Sequence, residues 1–311
     1  MKIAITTGSF AQYSEEPLRL LAERGIEFVR NPHGRVLTED EAIELLRGCV
    51  AVAAGTEPLT ARLMDALPSL RVISRCGVGM DSVDMEAASA RGIRVRNTPD
   101  APTRAVVELT LGCALDMVRH ISLMDHDIRN GVWKKRMGSL LQGKKLGIIG
   151  FGRIGRAVAE TFGYMGCRVS FHDPFVPGPQ GAIQRREMDD LLAWADIVTL
   201  HCSKPADGSQ VMSAERIAAM QKGSFLINAA RGGLVDEDAL LEALRSGHLA
   251  GAALDVFAQE PYTGPLKDLP NVILTPHIGT YAREARVQME IDTIRNLLEA
   301  LEQAGIPVPV K

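Results

Sequence analysis

The chain has 311 residues, of which 46% are hydrophobic and 23% charged, a balance typical of folded proteins and unlike that of disordered ones. Its 35 Lys and Arg residues face 38 Asp and Glu residues, giving a formal net charge of −3. This near balance gives no basic excess for a nucleic-acid-binding surface, and the length predicts two domains.

The chain begins directly with a strand-like pattern, and no stretch approaches the roughly 18 uninterrupted apolar residues of a membrane span. Its five cysteines are scattered and form no C-x-x-C pair. This usage favours free thiols in a reducing compartment over disulfides or a structural zinc site. We therefore expect a cytoplasmic protein that binds neither nucleic acid, membrane nor metal.

In the first hundred residues, short apolar runs alternate with helical patterns. The predicted strands lie at 2–6, 26–29, 50–54, 71–74 and 93–95. Helical patterns such as 14–24 and 59–67 separate them. This alternation predicts a parallel sheet with helices on both faces, an α/β unit.

A proline-containing segment, 97–102, then precedes the longest helical pattern so far, at 103–130. A second series of six strands is predicted at 145–149, 168–171, 197–200, 225–227, 251–254 and 272–274. A last helical pattern covers 282–301. Six such strands opened by a glycine-rich turn predict a Rossmann-type doubly wound parallel sheet.

The glycine-rich turn is a G-x-G-x-x-G formed by Gly150, Gly152 and Gly155 between a buried strand and a helix. In this context the glycines permit a tight turn, backbone approach to a pyrophosphate, and close packing of strand and helix. Asp173 lies 18 positions beyond Gly155, at the end of the next strand. This is close to the spacing of a carboxylate that binds the adenosine ribose, so the sequence favours NAD over NADP. Two nearby arginines, at 185 and 186, leave the alternative open.

The segments that follow three later strands, at 225–227, 251–254 and 272–274, each contain an ionisable residue: Arg231, Glu260 and His277. Any one of them alone is more typical of a surface charge. Because the carboxyl ends of parallel strands meet at one edge, where α/β sheets bind ligands, the three together predict a catalytic site.

At this point the sequence resembles the D-isomer-specific 2-hydroxyacid dehydrogenase family over nearly its whole length. The segments that carry the resemblance are RCGVGMDSVD (75–84), NTP (97–99), GFGRIG (150–155), LINAARGGLVD (226–236), ALDVF (253–257) with EP (260–261), and TPHIG (275–279). The resemblance implies a flavodoxin-like substrate-binding domain at 1–98 and 282–311, and an NAD-binding Rossmann domain at 99–281. It also implies a homodimer to which the 103–130 helix contributes.

The family's roles then correspond to matching positions. His277 would act as general base on the substrate hydroxyl during oxidation and as acid in reverse, and Glu260 would orient it and stabilise its protonated form. Arg231 would bind the substrate carboxylate and the C2 oxygen. Beyond the three glycines, the implied cofactor contacts are Thr103, Arg153, Ile154, Asp173, Cys202, Ala229, Asp255 and Gly279.

The resemblance also implies that the backbone amides of Val78 and Gly79 bind the substrate carboxylate. Arg75 stands where the phosphoglycerate dehydrogenase branch has an arginine able to meet a phosphate. The sequence therefore favours 3-phosphoglycerate and 3-phosphohydroxypyruvate as the substrate pair, without a C-terminal regulatory domain, since the chain ends at Lys311. Asp100 departs from the glycine usual in that branch, and its effect is left open.

Two alternatives are kept. One is a reductase of glyoxylate, hydroxypyruvate or another small 2-oxo acid. The other is an NAD(H)-sensing interaction protein of the CtBP type, in which cofactor occupancy controls assembly.

Overall fold

The structure, a computed structural model, describes residues 1–309. Residues 310 and 311, the end of the predicted substrate-binding segment, lie outside the described part. The chain divides into two compact units. Unit 1 comprises Met1–Pro102 with Tyr281–Lys311, and unit 2 comprises Thr103–Thr280. Within residues 1–309, no helix combines the length and apolar character needed to cross a membrane.

The strands are, in chain order, β1 (Lys2–Ile5), β2 (Glu27–Arg30), β3 (Ala51–Ala54), β4 (Val72–Arg75), β5 (Arg94–Arg96), β6 (Lys145–Ile149), β7 (Arg168–His172), β8 (Gln184–Arg185), β9 (Ile197–Leu200), β10 (Ser224–Asn228), β11 (Leu249–Leu254) and β12 (Val272–Leu274). The α-helices are α1 (Glu16–Glu23), α2 (Glu39–Leu46), α3 (Ala61–Ala66), α4 (Met85–Ala90), α5 (Thr103–Arg119), α6 (Ile121–Arg129), α7 (Arg153–Tyr164), α8 (Met188–Trp194), α9 (Ala214–Ala219), α10 (Glu237–Arg245) and α11 (Arg283–Gln303). A 3-10 turn, Pro265–Asp268, precedes β12.

Unit 1 contains one parallel sheet with the order β2-β1-β3-β4-β5. This is the flavodoxin-like order, and the point where the connections reverse lies between β1 and β3. The central strand β3, Ala-Val-Ala-Ala, is buried at every position, as expected of a strand covered on both faces. The flavodoxin-like α/β fold predicted for this part of the chain is confirmed.

Helix α11 returns the chain to unit 1 and buries an ion pair there. Arg286 and Glu290, one turn apart on α11, are joined at 3.1 Å, and both side chains are almost fully buried. Glu290 also accepts the backbone N–H of Ala11, and Ser74 of β4 donates to the carbonyl of Thr293. These polar contacts satisfy groups that would otherwise be buried without partners.

Unit 2 contains a seven-stranded parallel sheet with the order β12-β11-β10-β9-β6-β7-β8. Counted from β6, this is the doubly wound order 3-2-1-4-5-6 with a further strand at one edge. The predicted Rossmann-type fold is confirmed, but the predicted count of six strands is wrong. The missed strand, β8, has two residues and pairs with β7, which is too short for an alternating pattern to show in the sequence.

The single helix predicted at 103–130 is also wrong, because the structure has two helices, α5 and α6. His120 separates them with a φ of 53°, a left-handed conformation that an α-helix cannot contain. The carbonyl of Val118 accepts the N–H of Ser139, and Asp116 accepts the N–H of Ser122 at the start of α6. These contacts satisfy groups freed by the break, which neither glycine nor proline marks in the sequence.

Candidate active site

The glycine-rich turn between β6 and α7 has the close contacts that its pattern requires. Gly150 has a φ of 93°, and a Cβ there would lie 2.5 Å from the backbone nitrogen of Cys202. A Cβ on Gly155 would lie 2.1 Å from the carbonyl oxygen of Gly150. Gly152, by contrast, caps the N-terminus of α7, and a Cβ there would meet no atom within 4 Å. The turn is therefore closed on its protein side and open at the helix N-terminus.

Asp173 follows β7 and binds the glycine-rich turn directly. One carboxylate oxygen accepts the N–H of Phe151 at 2.7 Å, and the other accepts the N–H of Phe175 at 2.8 Å. The ring of Phe151 stacks on that of Phe171 in β7, with centroids 3.9 Å apart. The carboxylate is thus fixed beside the turn by the same strand pair that forms it.

The segment after β9 completes the rim of the turn. Burial lowers the pKa of His201 to about 3, so the imidazole is neutral near pH 7. Its Nε2 lies 2.9 Å from the hydroxyl of Thr199, while Nδ1 is buried without a partner among the described residues. Burial also raises the pKa of Cys202 to about 11, which keeps this side chain a neutral thiol.

His277 and Glu260 form a direct pair. Nδ1 of His277 lies 2.9 Å from a carboxylate oxygen of Glu260, whose other oxygen accepts the N–H of Phe257 at 3.1 Å. His277 follows β12 and has a φ of 55°. Both side chains remain partly accessible, at 49% for His277 and 38% for Glu260. An oriented imidazole therefore stands at the carboxyl edge of the unit 2 sheet with its second ring nitrogen directed away from the carboxylate.

The loop that carries Arg231 packs against the loop that carries Glu260. A Cβ on Gly232 would lie 1.7 Å from the carbonyl oxygen of Phe257, so these two backbones touch where only glycine fits. The side-chain amide of Asn228 donates to the carbonyl of Arg231, and the Arg231 guanidinium donates to the carbonyl of Ala230. The structure thus places the three predicted catalytic residues on adjoining loops of one sheet edge.

Asp255, at the end of β11, holds the loop of His277. Its buried carboxylate accepts the hydroxyl of Thr275 at 2.5 Å and the N–H groups of Ile278 and Gly279 at 2.7 Å each. The sequence predicted a cofactor contact for Asp255 and missed this positioning role. A carboxylate at one strand end, with T-P-H-I-G at the end of the next strand, is a signal that could have indicated it.

In unit 1, the loop that follows β4 is fixed by the segment that follows β5. Thr98 accepts the N–H of Gly77 through its hydroxyl at 2.9 Å, and Asn97 donates to the carbonyl of Val78 at 2.7 Å. The guanidinium of Arg75 donates to the carbonyl of Cys76 at 2.6 Å. The Asn97-Thr98-Pro99 segment, identified from its pattern as a turn, therefore also positions the predicted anion-binding loop that contains Val78 and Gly79.

The remaining predicted cofactor contacts belong to unit 2. Thr103 begins α5, Arg153 and Ile154 begin α7, and Ala229 follows β10. Within the described residues, no cluster of three or more His, Cys, Asp or Glu side chains is arranged to hold a metal ion.

The turn fits a dinucleotide by its shape. A pyrophosphate requires backbone N–H groups at a helix N-terminus and space in front of them, and the open position at Gly152 provides that space. The carboxylate of Asp173 lies directly beside this turn. The fold and these contacts define an α/β protein of the dinucleotide-binding type with an imidazole–carboxylate pair at the same sheet edge.

Comparisons with known proteins identify the family of this chain. Residues 111–279 match the family model "D-isomer specific 2-hydroxyacid dehydrogenase, NAD binding domain". A D-3-phosphoglycerate dehydrogenase of Mycobacterium leprae is 39% identical over 253 residues, which are 79% of this chain and 48% of that protein. A hydroxypyruvate reductase of Thermotoga maritima is 35% identical over 272 residues, covering 85% of this chain and 89% of that protein.

Among solved structures, the TT0316 protein of Thermus thermophilus matches with a TM-score of 0.90 and 39% identity, covering all of both chains. The chain belongs to the D-isomer specific 2-hydroxyacid dehydrogenase family. It spans about half the length of the phosphoglycerate dehydrogenases that it matches.

Proposed function

We propose that the chain is an NAD-dependent dehydrogenase that interconverts a D-2-hydroxy acid and its 2-oxo acid. The observation that carries this proposal is the 2.9 Å contact between Nδ1 of His277 and Glu260, at the sheet edge that also carries the glycine-rich turn. In this proposal unit 2 binds the cofactor and unit 1 the substrate. Bound NAD would supply the hydride acceptor, and the protein's task would be to orient the substrate and move one proton.

His277 is the proposed proton carrier. Because its Nδ1 faces Glu260, Nε2 is left to take the proton from the substrate hydroxyl during oxidation, while the hydride leaves C2. In reduction, Nε2 returns a proton to the C2 oxygen. Glu260 keeps the ring in this orientation and stabilises the imidazolium that forms.

Arg231 is the proposed partner of the substrate carboxylate. Its planar guanidinium can bind two oxygens at once, which a lysine cannot do equally well. The close packing at Gly232 fixes the backbone from which Arg231 extends. The N–H groups of Val78 and Gly79 are proposed as further carboxylate ligands, supported by a loop that Thr98 and Asn97 hold in place.

Two substrate pairs are supported by relatives. 3-Phosphoglycerate with 3-phosphohydroxypyruvate is supported by Arg75 and by the dehydrogenases named for phosphoglycerate. Hydroxypyruvate with glycerate is supported by the Thermotoga relative, which this chain matches over 89% of its length.

A homodimer is part of the proposal. Helix α6 has no buried side chain, and the segment after it exposes the large apolar side chains of Trp133 (83%), Met137 (95%) and Leu140 (69%). A run of large exposed apolar side chains is typical of a surface covered by a partner. The expected partner is a second copy of this chain, in the cytoplasm, where the five free cysteines would stay reduced.

The test is a steady-state assay of purified protein with hydroxypyruvate, 3-phosphohydroxypyruvate, glyoxylate and pyruvate, using NADH and NADPH in parallel. We expect turnover with at least one of the acids and a preference for NADH, because the Asp173 carboxylate would repel a 2′-phosphate. Protein that binds NADH but reduces none of these acids, or others in a broad panel, would contradict the proposal and favour the NAD(H)-sensing alternative.

A further inference from the structure

Unit 1 buries a carboxyl group that the proposed reaction does not use. Glu57 lies in the turn after β3 and is only 1% exposed. Strand β3 pairs with β1 on one side and β4 on the other, so this turn lies at the point where the sheet connections reverse. In a flavodoxin-like sheet this is the crevice where ligands bind.

The contacts of Glu57 hold its carboxyl group in one place. The hydroxyl of Thr6, directly after β1, lies 2.5 Å from one carboxyl oxygen, and the N–H of Gly55 donates to the other at 3.1 Å. Burial raises the pKa of Glu57, whereas these two donors and the positive charge of Arg75 favour its ionised form. The carboxyl group is thus fixed in the turn beside the strand end that carries Arg75.

Arg75 belongs to the neighbouring strand end. It is paired in register with Ala54, the last residue of β3, and the N–H of Cys76 donates to the carbonyl of Ala54. A Cβ on Gly77 would lie 1.5 Å from a terminal nitrogen of Arg75, so the guanidinium covers its own loop. Arg75 and Glu57 therefore lie at neighbouring strand ends of one sheet edge.

Four of the five loops at this edge contain no cationic side chain. The loop after β2 contains His33 and Arg35, and Arg35 is paired with Glu41. Arg30 donates to the carbonyl of Phe10, and Arg286, which donates to Ser9, is paired with Glu290. The loops after β1, β3, β4 and β5, at 6–15, 55–60, 76–84 and 97–102, contain no Lys, Arg or His. The same loops contain the carboxyl groups of Glu15, Glu57, Asp81, Asp84 and Asp100. A phosphate monoester carries a charge of about −1.5 to −2 near pH 7 and needs an excess of positive charge to bind well.

We infer that Glu57 is a specificity-determining residue that offsets the charge of Arg75, so that the site favours a 2-oxo acid with an uncharged distal group over a phosphorylated one. The inference rests on the proposed function and names its substrate class. Hydroxypyruvate has the favoured chemistry, and 3-phosphohydroxypyruvate has the disfavoured one. Glu57 acts through Arg75 and is a positioning residue, not a catalytic one.

The experiment compares kcat/KM for hydroxypyruvate and 3-phosphohydroxypyruvate, with NADH, in the wild type and in Glu57→Gln. Glutamine keeps the length of the side chain and an acceptor for Gly55 but removes the charge. We expect the wild type to prefer hydroxypyruvate, and the ratio of phosphorylated to unphosphorylated kcat/KM to rise at least tenfold in Glu57→Gln, mainly through KM. Arg75→Gln is expected to lower the same ratio.

Glu23→Gln is the matched control, because it removes one exposed carboxyl group of unit 1, at the end of α1 and outside these loops, and changes the net charge equally. Its ratio is expected to stay at the wild-type value. Glu57→Met provides a second uncharged side chain for the buried position and is expected to shift the ratio in the same direction as Glu57→Gln.

An active Glu57→Gln or Glu57→Met enzyme with an unchanged ratio would overturn the inference and leave the proposed function intact. A wild type that prefers 3-phosphohydroxypyruvate would overturn it as well. Loss of turnover with every acid in the wild type, with NADH binding retained, would instead remove the proposed function and this inference with it.

Discussion

Each unit buries an ionisable group at the point where the connections of its sheet reverse, an acid in unit 1 and a base in unit 2. In unit 1 the connections reverse between β1 and β3, and the turn after β3 buries the carboxyl group of Glu57. In unit 2 they reverse between β6 and β9, and the residue after β9 is His201, whose Nδ1 is buried. The pKa of Glu57 is raised and that of His201 is lowered, in both cases first by burial.

Under the proposed function, this difference lets one architecture serve two binding tasks. The turn of unit 2 contains three glycines and has a neutral imidazole beside it. Its backbone N–H groups and the N-terminus of α7 can therefore attract a pyrophosphate. Unit 1 holds its loop with the side chains of Asn97 and Thr98, and buries the carboxyl group of Glu57 at the strand end next to that of Arg75. In the proposed function, the first edge binds the dinucleotide and the second binds the small acid substrate.

Removal of the proton carrier in unit 2 should have the largest effect. His277→Ala should lower kcat by about 10³-fold, within the range typical of general acid–base catalysis, because no other imidazole would take the hydroxyl proton. NADH affinity, measured by fluorescence titration, should stay within about twofold of the wild type, since the glycine-rich turn is untouched. The control is His248→Ala, which removes a ring that contacts the carbonyl of Ile217, and this variant should keep the wild-type activity. Equal loss of turnover and of NADH affinity in His277→Ala would argue against the assigned role.

Two glycines of α7 separate the cofactor role of the turn from ordinary helix stability. Gly155→Ala places a Cβ 2.1 Å from the carbonyl oxygen of Gly150, so NADH affinity should fall about 10- to 100-fold as the turn is forced apart. Gly163→Ala, in the same helix, meets no atom within 4 Å. It should leave NADH affinity unchanged and raise the free energy of unfolding by about 0.5–1 kcal/mol. If both variants bound NADH like the wild type, the turn would not be the pyrophosphate site.

These contrasts also mark what the sequence can predict. The glycine-rich turn and the strand ends that carry Arg231, Glu260 and His277 follow from local patterns, because a parallel sheet brings its carboxyl ends to one edge. The break at His120 and the burial of Glu57 depend on contacts between distant segments. No local pattern carries that information, so the structure was needed to find them.

The buried histidine predicts how unit 2 responds to acid. A histidine with a pKa near 6.5 in the unfolded chain and about 3 in the folded one contributes stability above pH 6.5, and this contribution is lost as the pH falls toward 3. Going from pH 7 to pH 5 should therefore cost about 2 kcal/mol of the free energy of unfolding. Glu57 has the opposite sign, because a raised carboxyl pKa adds stability below its unfolded pKa and loses it as the pH rises.

Tryptophan fluorescence during urea unfolding tests this response, because both tryptophans, Trp133 and Trp194, belong to unit 2. His201→Gln should reduce the loss between pH 7 and pH 5 by about 2 kcal/mol, whereas His248→Gln should retain it, since His201 is unchanged. The same loss in His201→Gln and in the wild type would show that other groups cause it.

The smallest expected effect concerns Thr98, which holds the loop after β4 in unit 1. Thr98→Val removes the hydroxyl that accepts the N–H of Gly77, so the predicted anion-binding loop loses one fixed point. A buried N–H without a partner costs about 1–3 kcal/mol, part of which the loop relieves by moving. We therefore expect KM for the 2-oxo acid to rise about 5- to 10-fold, with NADH affinity unchanged because the cofactor turn belongs to the other unit. Thr98→Ser keeps the hydroxyl and should restore most of the wild-type KM, whereas a change of NADH affinity in Thr98→Val would show that the two tasks are not divided between the units.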